Sequence, residues 1–95
     1  MIEEHIFNFK SNPSFFEKES VDIKNNTVRE IDLNDGRFLD LIAWMRTGWN
    51  DGDIEIKIAN ALYPDLFFTR DIRDICIYNN FMIITWNTKE ESDGK

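Results

Sequence analysis

Ninety-five residues, 42% hydrophobic and 14% aromatic, make one globular domain and exclude a disordered chain. Eighteen acidic against eleven basic residues give a net charge of −7, which argues against a non-specific polyanion binder and leaves room for a basic protein partner. One cysteine excludes an internal disulfide framework and a Cys-based zinc site, and no apolar run approaches the roughly 18 residues of a membrane span, so the expected compartment is the cytoplasm.

Residues 5–9 alternate and place His5, Phe7 and Phe9 on one face, the pattern of a strand. Asn12-Pro13 then opens a short helix, because Asn12 can cap it and Pro13 fits the first position, where no backbone donor is needed. That helix carries Phe15, Phe16 and Glu19. A turn at Asn25-Asn26 leads into a β-prone stretch over 27–31, built on Thr27, Val28 and Ile31. Asn34 or Asp35 caps a second helix, whose Phe38, Leu41, Ile42 and Met45 fall at i, i+3, i+4 and i+7 on one face. Gly48 follows the last of these and ends the helix in a left-handed conformation.

Asn50-Asp51-Gly52-Asp53 is a turn. Beyond it Ile54, Ile56 and Ile58 alternate with Glu55 and Lys57, the cleanest half-buried strand in the chain. Residues 67–78 are again β-prone, but the phase slips between Ile72 and Ile75, which predicts a bulge near Arg73-Asp74. Asn79-Asn80 predicts a two-residue hairpin, and the apolar run 81–86 predicts a strand covered on both sides. Residues 88–95 lack apolar side chains and read as a disordered tail, leaving 1–87 as the domain. The element order predicts an α+β fold: a small, partly open β-barrel with two helices in its N-terminal half.

The chemistry concentrates in Lys24-Asn25-Asn26-Thr27-Val28-Arg29. Thr27 and Arg29, two apart in a strand, point to one face, and Lys24 lies three residues before Thr27 across a turn. An ammonium, a hydroxyl and a planar paired donor thus converge on a patch that suits a phosphate, a carboxylate or a base carbonyl. The plainer alternative is that Thr27 and Arg29 face solvent, with Arg29 paired to Glu30 or Asp32.

Lys-x-x-Thr-apolar-Arg, preceded by a short helix with Phe15-Phe16-Glu17-Lys18, resembles the ASCH family of PUA-like β-barrels. Arg37-Phe38, Gly52-Asp53-Ile54 and the strands 72–78 and 81–86 extend the resemblance over most of the chain. The resemblance implies a small barrel with a cleft beside the first helix. It also implies recognition of RNA or a modified nucleoside, with Lys24, Thr27, Arg29 and Arg37 as ligand-binding residues. Some members are amidohydrolases on acylated cytidines, using the motif Lys and Thr and a Glu from a later insertion. Here the segment 58–68 is too short for that insertion and holds no Glu; Asp65 and Asp71 are the acids of the region.

The remaining polar and aromatic residues have structural readings. His5 has no second His and reads as a surface or half-buried strand residue. Cys76, in an apolar strand without a basic neighbour, reads as a small core residue. Trp44 and Trp49 can stack a base but read first as core or rim packing. Arg70 and Arg73 read as local ion pairs with Asp71 and Asp74. No metal site or cofactor is expected. The leading expectation is a non-catalytic module for RNA or a modified nucleoside. The alternative is an acidic, phage-type inhibitor or accessory protein that binds a basic nucleic-acid-binding protein, and the third is an amidohydrolase on acylated nucleosides.

Overall fold

The structure, a computed structural model, describes residues 5–88. The elements run β1 (His5–Ser11), α1 (Pro13–Ser20), β2 (Asn26–Glu30), α2 (Gly36–Thr47), β3 (Ile54–Asn60), β4 (Phe67–Tyr78) and β5 (Phe81–Trp86). Their ends are set locally. The Asn12 side chain accepts from the Phe15 amide at 3.1 Å, and Pro13 occupies the first turn of α1. Asp35, rather than Asn34, caps α2 by accepting from the Arg37 amide at 3.0 Å. Gly48, at φ 78°, ends α2 and donates its amide to the Trp44 carbonyl.

The strands form one curled five-stranded sheet, a half-barrel in the order β1-β3-β4-β5-β2. β1 runs parallel to β3 and every other pair is antiparallel. β3, β4 and β5 are therefore a meander, while the first two strands of the chain lie at opposite edges of the sheet. Curling brings those edges together: Arg29 Nη1 on β2 donates to the Lys10 carbonyl of β1 at 2.7 Å.

The concave face holds the core. Ile54, Ile56 and Ile58 are completely buried, as their alternation requires, and Phe38 and Leu41 of α2 pack into the same cluster as Phe7, Ile72 and Trp86. Ile42 and Met45 are partly buried against it, as are Trp44 and Trp49. Burial of each large apolar side chain stabilises by roughly 1.5–3 kcal/mol. His5 is exposed and meets Trp44 edge to face, with ring centroids 5.1 Å apart.

The predicted bulge falls between Ile72 and Asp74. Phe68, Arg70 and Ile72 point inward before it and Ile75 after it. Trp49 Nε1 donates to the Ile72 carbonyl at 2.8 Å, at the point where the ladder shifts. Asn79 takes a positive φ of 54° in the hairpin that follows.

Three sequence expectations are corrected. Cys76 is exposed, because the phase that the bulge sets puts Ile75 inward and its neighbour outward. β5 is fully buried on one face only: Met82, Ile84 and Trp86 face the core, while Phe81 is exposed and Ile83 and Thr85 are half-buried. Arg70 does not pair locally with Asp71 or Asp74. It turns inward, lies 3.5 Å from Asp22 Oδ1 and donates to the Ser20 carbonyl at the C-terminus of α1, where a cation suits the helix dipole. Beyond Thr88, the expected tail lies outside the described residues. No helix among the described residues is long and apolar enough to cross a membrane.

Candidate ligand-binding site

The gap between β1 and β2 is lined by polar groups from four segments. Thr27 and Arg29 share the inward face of β2, and Thr27 is buried. Lys24 lies in the connection before β2, whose path is fixed by the Lys24 amide donating to the Lys18 carbonyl at 3.1 Å. Ser11 ends β1, and Phe15 and Glu19 come from α1. These six residues line one cavity of about 330 Å³. The sequence cluster Lys24, Thr27 and Arg29 is thus gathered around one space, with the short helix beside it.

Arg29 is the hub. Its Nε donates to Thr27 Oγ1 at 2.9 Å, its Nη2 to Ser11 Oγ at 2.9 Å and its Nη1 to the Lys10 carbonyl. It does not turn outward to Glu30 or Asp32. Burial lowers its pKa, the charge of Glu19 opposes this, and nearby Arg37 adds to the lowering.

Glu19 is the group that sequence reasoning missed. It is 1% exposed, with Lys24 Nζ 4.0 Å from its Oε2. Its Oε1 is buried without a hydrogen-bond partner among the described residues. Burial pushes its carboxyl above the ordinary range, only partly offset by a Ser11 hydrogen bond and the charges of Lys24 and Arg29. A signal was present: Phe16 and Glu19 are three apart, so an acid shares the apolar face of α1. Asp65 and Asp71 do not line this cavity; Asp65 is exposed, and Asp71 sits on β4 opposite Glu55.

Arg37 lies elsewhere. It forks onto Asp35, with Nη2 to Oδ2 at 2.5 Å, and Nη1 donates to the Asn8 carbonyl on β1. That pairing raises its pKa and lowers that of Asp35. It lines a second cavity of about 480 Å³, which shares Lys10 and Arg29 with the first.

The lining of the first cavity combines a buried carboxylate, hydroxyls, an ammonium and an aromatic ring. Lys24 Nζ stands 4.8 Å from the Phe15 ring centroid, and that ring is half-exposed. Carboxylates accept from exocyclic base amines, and aromatic faces stack bases. No family model matches the chain, and no curated protein matches its sequence.

Proposed function

We propose that the protein is a small ASCH-like, PUA-like binding module that recognises RNA or a modified nucleoside through its base, in the cavity of Glu19, Lys24 and Thr27. The observation that carries this reading is the buried Glu19 carboxylate, whose Oε1 has no hydrogen-bond partner among the described residues, in the lining of a space of about 330 Å³. A buried acceptor left unmade costs about 1–3 kcal/mol, and a ligand N–H removes that cost. A base edge supplies such a donor, and Phe15 supplies a stacking face. The acidic chain also fits a pocket for one base better than a long RNA groove, because affinity for a polyanion scales with the phosphates neutralised.

The test is calorimetric titration with a panel of nucleosides, N4-acetylcytidine included, and with short single-stranded RNA at low salt. Lys24→Ala and Glu19→Gln are expected to weaken binding tenfold or more with the fold intact. Arg29→Ala is a poor probe, since its donors also tie β2 to β1. Absence of any binding at low salt transfers the reading to the acidic accessory protein that docks on a basic nucleic-acid-binding partner.

Glu19 also favours a second reading. It is a carboxylate beside the motif Lys and Thr, in the role that hydrolase members of the family give to their later Glu. In hydrolysis of an acylated cytidine, Lys24 assists proton transfer and Thr27 acts as nucleophile or orienter. General acid–base help of this kind is worth roughly 10²–10⁴ in rate. Release of cytidine from N4-acetylcytidine, lost in Glu19→Gln, would establish it.

A further inference from the structure

The second cavity has a composition that the chain as a whole does not predict. Residues 5–88 contain nine lysines and arginines. Four of them, Lys10, Arg29, Arg37 and Lys57, line this cavity, and no acid among the described residues lines it, in a chain of net charge −7. Both guanidinium groups stand over one ring: the Arg29 and Arg37 carbons lie 5.1 and 4.3 Å from the Phe9 centroid. Each is anchored by donating one Nη1 hydrogen to a β1 carbonyl, Lys10 and Asn8 respectively, two residues apart on the strand's unpaired edge. A guanidinium carries five N–H donors; Arg29 spends three on Thr27, Lys10 and Ser11 and Arg37 three on Asp35 and Asn8, so each keeps two.

Covering an open strand edge explains the two carbonyl contacts. It does not explain Lys57, which lies one strand further in, opposite Asn8. Lys57 stands 4.2 Å over the Phe67 ring, and neither it nor Lys10 has a side-chain hydrogen bond or ion pair among the described residues. Two anchored arginines, one of them paired to Asp35, and two lysines around a space with no carboxylate among its described lining residues supply the charge and N–H donors that a phosphoryl oxyanion takes. Lys10 and Arg29 line both cavities, so a group held here adjoins whatever occupies the Glu19 pocket.

We propose that the Lys10–Arg29–Arg37–Lys57 basin binds the phosphate of a nucleotide whose base occupies the Glu19–Lys24–Thr27 cavity, so that the ligand is a nucleoside phosphate, free or at the end of an RNA strand. This rests on the base-recognition reading above and adds the ligand's charged part and its position.

The full chain is titrated with each nucleoside, with its 5′- and 3′-monophosphates, with inorganic phosphate and with a tetranucleotide RNA, in low and moderate salt. One monophosphate of the preferred nucleoside is expected to bind at least tenfold tighter than the nucleoside, with the gain shrinking as salt rises. Lys57→Gln, which breaks no hydrogen bond, is expected to reduce the monophosphate affinity about threefold or more and leave nucleoside affinity unchanged. Adding Arg37→Gln is expected to erase the gain. A tetranucleotide with the same affinity and salt slope as the monophosphate identifies a terminal or free nucleotide; a steeper slope identifies a strand. Nucleoside and monophosphate binding equally would overturn the basin and leave the base pocket standing. Inorganic phosphate that binds in an Arg37- and Lys57-dependent way, with no nucleoside effect, would support the basin and overturn the base pocket. Silence from every probe overturns both.

Discussion

The two halves of the sheet are held together by different means. From β3 through β4 to β5, a continuous ladder joins the strands, and the alternating Ile54, Ile56, Ile58, Ile72 and Ile84 face inward and are completely buried. At the gap between β1 and β2 no ladder among the described residues closes the barrel. One guanidinium spans it, from Thr27 on β2 to the Lys10 carbonyl and Ser11 on β1. The first region is stable through the surface it removes from water. The second holds buried polar groups, and one of them, Glu19 Oε1, has no hydrogen-bond partner among the described residues. Arg70 Nε on β4 and Trp86 Nε1 on β5 are also buried without a hydrogen-bond partner among the described residues, so what sets Glu19 apart is that it lines a cavity together with Lys24 and Thr27.

Substitutions can break this contrast. The largest effect is expected in the core: Ile56→Ala should cost roughly 2–5 kcal/mol in denaturant unfolding, with nucleoside binding unchanged at temperatures where the variant is folded. A loss below about half a kcal/mol would show that β3 is not the centre of the core. Arg29→Ala should cost less, about 1–3 kcal/mol, because two hydrogen bonds across the seam and one within β2 are lost. Unlike the core change, it should abolish binding as well.

Glu19→Gln sharpens the comparison through pH. Burial raises the folded-state pKa of Glu19 above its ordinary 4.5. Its favourable contribution is therefore complete below about that value and is lost as pH rises through the raised folded value. The wild type should lose stability relative to Glu19→Gln over that interval, and the two curves should run parallel outside it. Parallel curves throughout would mean that Glu19 is not desolvated. Lys24→Ala should have the smallest effect on stability, within about 0.5 kcal/mol, since its ion pair is long and partly exposed. Its binding defect should still be tenfold or more, which separates recognition from folding at this position.

Local periodicity made much of the fold legible. The isoleucines of β3, the i, i+3, i+4, i+7 face of α2, both helix caps and the bulge in β4 follow from side-chain spacing and turn chemistry alone. Long-range placement did not. Nothing in 5–11 or 26–30 says that these strands occupy opposite edges, because pairing partners are chosen by the curl of the whole sheet. Cys76 and Arg70 were misread for related reasons. An apolar run hides which face is inward, and Arg70 lies in phase with Phe68 and Ile72, so its charge is carried inside and offset by Asp22 and the end of α1. Around the site, the strand spacing of Thr27 and Arg29 was readable, whereas the contact of Glu19, on the preceding helix, with Lys24 depends on the turn that folds the connection back.

The most direct measurement of the account's central claim is a carbon-detected NMR titration that follows the Glu19 side-chain carboxyl while nucleosides, N4-acetylcytidine among them, are added to the full chain. A saturable shift of the Glu19 signal together with the Thr27 and Phe15 signals is expected, absent in Lys24→Ala. A Glu19 signal that stays still through the whole panel, or a bound nucleoside that moves only residues remote from Thr27, would contradict it.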